Sequence, residues 1–265
     1  MKAGISTASL FLRRDNKQAL ELFNQFSVQT AEVFLTTFSE YDPAYVSTLD
    51  RGRVEMNSIH VLNTQYEPQL FATHEKVKAD AYFWLNKTLT CAKMLGMKYY
   101  TFHGIARHKA ASRNPLNDNF AKWRKDFTQI ANTCQQHGIT LCLENVEWST
   151  YNRVGVFEQI ASFVPNMKGV LDIKQARISG YDYRKYLQEM GERLAYVHIS
   201  DVDETGKMCL PGRGMFEFNE LITRLKDVGF DGALIIEAYE KDYGEEIELK
   251  QSYDFINELI YKNNA

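Results

Sequence analysis

The chain has 265 residues, of which 45% are hydrophobic, 25% charged and 13% aromatic, a composition that builds a buried core and excludes intrinsic disorder. Its 31 Lys and Arg stand against 34 Asp and Glu, for a net charge of -3, and no run of like charges is present to track a phosphate backbone, so no nucleic-acid partner is expected. No stretch reaches the roughly 18 uninterrupted apolar residues of a membrane span. Arg13 and Arg14 follow the short apolar start of the chain rather than preceding it, the reverse of a signal peptide; no membrane partner and a cytoplasmic location are expected. Cys91, Cys134, Cys142 and Cys209 form no CxxC pair and fall in apolar surroundings, which predicts buried free thiols. Five prolines and no Gly/Ser-rich tract leave no linker, so one domain over 1–265 is expected.

Short apolar runs alternate with longer segments of helical spacing, the pattern of a parallel sheet. The first predicted strand covers 2–7 and leads to a helix over 16–26, with Ala19, Leu20, Leu22, Phe23 and Phe26 as its inner stripe. Strands over 31–35 and 55–62 follow. A long amphipathic helix over 74–95 places Tyr82, Leu85, Leu89 and Ala92 three or four apart. Strand four covers 99–103. A helix over 117–137 ends at Gly138, which supplies a left-handed residue before strand five at 139–144. Strand six at 169–172, a helix over 181–190, strand seven at 195–200 and a helix over 218–228 continue the alternation. The turn from Gly229 to Gly232 enters strand eight at 233–237, and a last helix covers 247–261. Eight strand-then-helix units in this length predict a single (β/α)8 TIM barrel of the α/β class. A doubly wound open sheet is the alternative, but no GxGxxG follows strand one.

Barrel chemistry sits at the carboxyl ends of the strands. Strand five ends LCLEN with Glu144, strand six GVLD with Asp172, strand seven YVHISD with His198 and strand eight LIIEAY with Glu237. His60 in SIHVLN and His103 in TFHG add two imidazoles. A carboxylate buried without a partner is strongly destabilised. Three carboxylates and an imidazole converging from successive strands would repel unless a divalent cation neutralised them. Three oxygen donors and one neutral nitrogen suit Mn, Mg, Co or Zn, and no thiolate selects zinc. Taken singly, His198 or His103 also fits a hydrogen-bonded core histidine.

The segments LENVEW, LDIKQA, VHISD with LPGRGMFEF, and IIEAY, in this order and spacing over nearly the whole chain, resemble the xylose-isomerase-like barrel superfamily. That superfamily holds sugar phosphate isomerases and epimerases, ketose 3-epimerases, keto-inositol enzymes and abasic-site endonucleases. The resemblance to the ketose 3-epimerases implies metal binding by Glu144, Asp172, His198 and Glu237, with proton transfer by Glu144 and Glu237. It implies a sugar isomerase or epimerase that takes a small sugar, sugar phosphate or polyol, with one divalent metal ion as cofactor. The same site would support dehydration of a keto-inositol. Homo-oligomers are an analogy to other members only.

Arg213 in PGRG matches an arginine that those epimerases place near substrate oxygens, where a guanidinium would orient a hydroxyl or bind a phosphate. Gln175 stands where they have a histidine, and a neutral amide can hydrogen-bond a hydroxyl but cannot relay a proton. Trp148, Phe102, Tyr239 and Tyr66 are candidates for apolar walls against sugar C–H faces. Lys174 fits either an anion contact or a surface loop. His60 and His103 match two ligands of the trinuclear zinc endonucleases. Those enzymes also use a histidine where Gln175 stands and another beyond strand seven, and no histidine follows His198. His60 and His103 are therefore expected to hydrogen-bond substrate or to support the ligands. A barrel that binds a sugar without turning it over is a third reading.

Overall fold

The computed structural model describes residues 1–105 and 120–264. Its strands are β1 Lys2–Ser6, β2 Thr30–Leu35, β3 Glu55–Val61, β4 Tyr99–Phe102, β5 Thr140–Glu144, β6 Lys168–Asp172, β7 Leu194–Ile199, β8 Asp201–Val202, β9 Met208–Cys209 and β10 Ala233–Ile236. Eight of them follow the order of a closed barrel, β1-β10-β7-β6-β5-β4-β3-β2, while β8 and β9 form a separate antiparallel pair. Every residue of β7 and β10 is buried, as expected for parallel strands covered on both faces. The helices are α1 Asn16–Gln25, α2 Pro43–Val46, α3 Glu75–Met94, α4 Phe120–Gln136, α5 Val156–Ala161, α6 Ile173–Ile178, α7 Tyr183–Met190, α8 Phe218–Asp227 and α9 Glu246–Asn264. No helix of the described residues is long and apolar enough to cross a membrane.

Local chemistry sets several boundaries. Asp15 begins α1 through a reciprocal capping box, its Oδ1 accepting from Gln18 N at 2.8 Å while Gln18 Oε1 accepts from Asp15 N at 3.2 Å. The helix expected over 181–190 starts only at Tyr183, because Asp182 caps it by accepting from Arg184 N at 2.9 Å. Residues 117–119, expected to open α4, lie outside the described residues. The short helices α2, α5 and α6 were not expected, since four to six residues are too few to display a 3.6-residue period. Helix α6 begins directly after Asp172, so Lys174 lies on a buried helical turn, 5% exposed, and the surface-loop reading of Lys174 is corrected. Cys91, Cys134 and Cys142 are buried free thiols as expected, whereas Cys209 in the β8–β9 pair is half-buried.

The chain forms two compact units. The first comprises Met1–Phe34, Thr48–Asn57 and Tyr196–Ala265. In it β1 pairs with β10 (Ile5 opposite Ile236) and β2 (Gly4 opposite Thr30), and β10 pairs with β7 (Ile235 opposite His198). Ile5, Phe23, Leu221, Leu234 and Ile256 are fully buried there, each such side chain worth about 1.5–3 kcal/mol of transfer free energy. The second unit comprises Leu35–Ser47 and Ser58–Ala195. Here β4 pairs with β3 (Ile59 opposite Tyr100) and with β5 (Thr101 opposite Cys142), and β5 pairs with β6 (Glu144 opposite Val170).

Gly4 marks the tightest approach in the first unit. A Cβ there would lie 2.5 Å from the Thr30 carbonyl oxygen and 2.6 Å from Ile235 Cδ1, and the backbone atom cannot yield. Gly4→Ala is expected to destabilise the fold by about 1–3 kcal/mol, measured as a lower midpoint in urea unfolding; an unchanged midpoint would contradict this packing.

Candidate active site

In the second unit three strand ends bring His60, His103 and Glu144 together, at 5%, 6% and 1% exposure. One ligand atom from each lies within 4.8 Å of the others, a grouping that could hold a metal ion. His103 Nε2 is 2.9 Å from Glu144 Oε2 and 3.3 Å from His60 Nε2. The opposite edge of His103 faces Glu67, a fully buried carboxylate in the turn Glu67–Phe71. Glu67 Oε2 accepts from the His103 backbone N at 3.1 Å and from Asn63 Nδ2 at 2.8 Å, and Oε1 accepts from Tyr100 Oη at 2.7 Å. Glu67 Oε2 also lies 3.7 Å from His103 Nδ1. Burial alone would lower the His103 pKa, but the Glu144 carboxylate at hydrogen-bond distance from Nε2 and the Glu67 carboxylate near Nδ1 outweigh it and push the imidazole up to about 9.

The same unit holds Asp172, 2% exposed. Asn145 grips its backbone from both sides, donating from Nδ2 to the Asp172 carbonyl at 2.9 Å and accepting from Asp172 N at 2.8 Å. Asp172 Oδ1 accepts from Gln175 N at 2.9 Å as the cap of α6, and Oδ2 lies 3.9 Å from Lys174 Nζ. Gln175 Oε1 accepts from Glu147 N at 3.3 Å, so this amide ties the segment after β5 to α6. Trp148 is half-buried with its ring 5.3 Å from that of His103. Tyr66 and Phe102 are core residues rather than walls of a pocket. Tyr66 is 1% exposed and hydrogen-bonds Tyr100 and Thr88 at 3.0 Å each, while Phe102 is fully buried with its ring edge-on to Phe127.

In the first unit His198 and Glu237 meet, with His198 Nδ1 3.5 Å from Glu237 Oε2. Glu237 N donates to the Ile199 carbonyl at 3.0 Å, which carries the β10–β7 ladder one residue beyond β10 and fixes where this carboxylate emerges. Behind His198 lies Glu32 of β2, fully buried, with its Oε1 3.1 Å from His198 Nε2. Arg213 is exposed and lies along α9, Nη1 3.0 Å from Glu248 Oε2 and Nη2 donating to Gln251 Oε1 at 2.7 Å. The loop that carries it is organised by Asp201, 2% exposed, whose carboxylate accepts from the backbone N of Val202, Gly212, Gly214 and Phe216 at 2.8–3.0 Å. A Cβ on Gly214 would sit 2.3 Å from the Val202 carbonyl oxygen, so only glycine fits this turn. Tyr239 is half-exposed at 51%.

Glu32, Glu67 and Asp201 escaped the sequence reading. Glu32 left a signal, a charge inside the apolar run TAEVFL; Glu67, in a Pro-containing turn, left none.

Residues 20–259 match the family model described as a xylose isomerase-like TIM barrel. No curated protein matches the chain. Among solved structures, a D-tagatose 3-epimerase-like protein is similar over 100% of both chains, with a TM-score of 0.79 at 18% identity. The IolI protein with a zinc atom bound gives a TM-score of 0.77 at 18% identity over 99% of both chains. A D-psicose 3-epimerase in the presence of D-fructose gives 0.75 at 16% identity over 98% of this chain and 99% of its own. These likenesses establish the expected (β/α)8 fold.

Two measurements check this geometry. In metal-free protein the His103 ring should titrate by NMR near pH 9, against an ordinary value of 6.5. Because the folded-state value is raised, its stabilising effect is complete below about pH 6.5 and is lost as pH rises through about 9; a midpoint at or below 6.5 would refute the Glu67–His103–Glu144 arrangement. Asp201→Asn should speed amide exchange at Gly212, Gly214 and Phe216 by roughly tenfold or more, since it weakens charge-assisted acceptors, whereas Arg213→Ala should leave those amides slow.

Proposed function

Because the chain belongs to the xylose isomerase-like TIM-barrel family, we propose that it is a divalent-metal-dependent isomerase or epimerase of a small ketose, sugar phosphate or polyol. One observation supports this reading above the others. In the barrel order, β5, β6, β7 and β10 are successive neighbours, and Glu144, Asp172, His198 and Glu237 stand at or next to their carboxyl ends. The names of the D-tagatose 3-epimerase-like protein and the D-psicose 3-epimerase point to ketoses as the substrate class.

The donor set fits a hard or borderline cation such as Mn, Mg, Co or Zn, with three carboxylates and one imidazole as its holders. When bound, the cation would polarise the substrate carbonyl and acidify the neighbouring C–H bond. Glu144 or Glu237 takes the proton from that carbon, and the other glutamate returns a proton to the opposite face, which inverts the centre. Return to the adjacent carbon instead gives aldose–ketose isomerisation. His103, 2.9 Å from Glu144 Oε2, holds that carboxylate and modulates its basicity, and His60 extends the donor array toward substrate hydroxyls. Trp148 beside His103 supplies an apolar face. Gln175 binds the Glu147 backbone and serves as a fixed amide rather than a proton carrier. A trinuclear nuclease centre finds less support, since Gln175 replaces one ligand and no histidine follows His198.

The test is incubation of metal-loaded protein with a panel of ketoses, sugar phosphates and keto-inositols in deuterated water. One substrate should gain deuterium at the carbon next to its carbonyl. Glu144→Gln and Glu237→Gln, at saturating metal, should each lower turnover by roughly 10²–10⁴-fold, whereas Asp172→Asn and His198→Gln should chiefly raise the metal concentration needed. Full turnover by Glu237→Gln, or nicking of abasic DNA without sugar exchange, would overturn the proposal.

A further inference from the structure

Glu32 has no part in the proposed ligand set or proton transfer, yet it is a carboxylate with no exposed surface in the middle of β2. Burying an ionised carboxylate is costly unless its oxygens are engaged. Three groups on β1 and β7 meet it. Ser6 Oγ donates to Oε1 at 3.0 Å, Tyr196 Oη donates to Oε2 at 3.3 Å, and His198 Nε2 lies 3.1 Å from Oε1.

We infer that Glu32 is a positioning residue for the metal centre: its carboxylate lies against the Nε2 edge of His198, at an ion-pair distance of 3.1 Å though off the line of a hydrogen bond, and so leaves Nδ1, 3.5 Å from Glu237 Oε2, as the ligand nitrogen. The inference rests on the proposed metal-dependent function for its purpose, but its geometry lies wholly within the first unit. A neutral imidazole carries one N–H and one lone pair; carboxylates stand beside both nitrogens here, and a cation bound at the Glu237 side would displace a hydrogen from Nδ1, leaving the remaining one on Nε2 beside Glu32. Ser6 and Tyr196 fix the carboxylate in turn, and the Tyr196 ring packs 5.5 Å from the His198 ring at a steep angle. Orientation of the histidine is thus set from the interior of the protein. Carboxylate partners of metal-ligating histidines typically contribute 10–100-fold in metal affinity.

The first test needs no variant. In Zn²⁺-loaded protein labelled with 15N-histidine, the His198 resonances should report the hydrogen on Nε2 and the metal on Nδ1, and metal on Nε2 would overturn the inference. The second test is calorimetric titration of wild type and Glu32→Gln with Co²⁺ and with Mg²⁺. Imidazole matters more to cobalt than to magnesium. The variant should therefore lose roughly tenfold or more in Co²⁺ affinity and less than about threefold in Mg²⁺ affinity. Equal losses for both ions would indicate a merely structural role and overturn the inference, as would an unchanged Co²⁺ affinity. Failure of wild type to bind either ion would sink the proposed function, whereas binding of both ions by wild type with unchanged Co²⁺ affinity in Glu32→Gln would sink only the role of Glu32.

Discussion

Carboxylates taken out of water dictate much of this molecule. Glu32 and Glu67 have no exposed surface, and Glu144, Asp172 and Asp201 have 2% or less. Each such charge destabilises the fold unless donors or opposite charges surround it. The chain meets that demand with dedicated partners. Glu67 has Tyr100, Asn63 and the His103 amide, Glu32 has Ser6, Tyr196 and His198, and Asp201 has four backbone amides. Glu144 and Asp172 have His103, the first turn of α6 and Lys174 beside them.

The buried acids fall into two roles with different physical demands. Glu144, Asp172 and Glu237 stand at strand ends, where side chains project from the barrel toward the loops. Glu32 and Glu67 instead face the far edges of histidines, His198 and His103. Each imidazole therefore has a buried carboxylate near one ring nitrogen, 3.1 Å from His198 Nε2 and 3.7 Å from His103 Nδ1, and a strand-end glutamate near the other. Glu67 is fixed by the backbone amide of His103 itself together with Tyr100 and Asn63, and Glu32 by a tyrosine and a serine.

Strand positions and strand-end acids were legible in the sequence for a simple reason. Runs such as LCL and LII are apolar throughout because parallel strands are covered on both faces, so the first ionisable residue after each run marks its end. Helix α1 was legible through its apolar stripe. Helices α5 and α6 were not, because a single turn or two has no period to detect. The burial of Lys174 depends on α6 starting at Asp172, a capping event that the letters alone do not distinguish from a loop. The supporting carboxylates were hidden for another reason: Glu67 reaches His103 from 36 residues away, and Asp201 gathers amides up to 15 residues downstream, contacts that only tertiary structure creates. Arg213, matched to a substrate-binding arginine by its loop, lies against Glu248 and Gln251, and nothing in PGRG announces those partners.

Under the proposed function a single divalent cation would balance the strand-end acids. Crystals grown with manganese and measured at its absorption edge provide the sharpest test. One anomalous peak per chain is expected, ligated by Glu144, Asp172, Glu237 and the Nδ1 atom of His198. A peak held instead by His60, His103 and Glu144 alone, or no peak at saturating manganese, would contradict it.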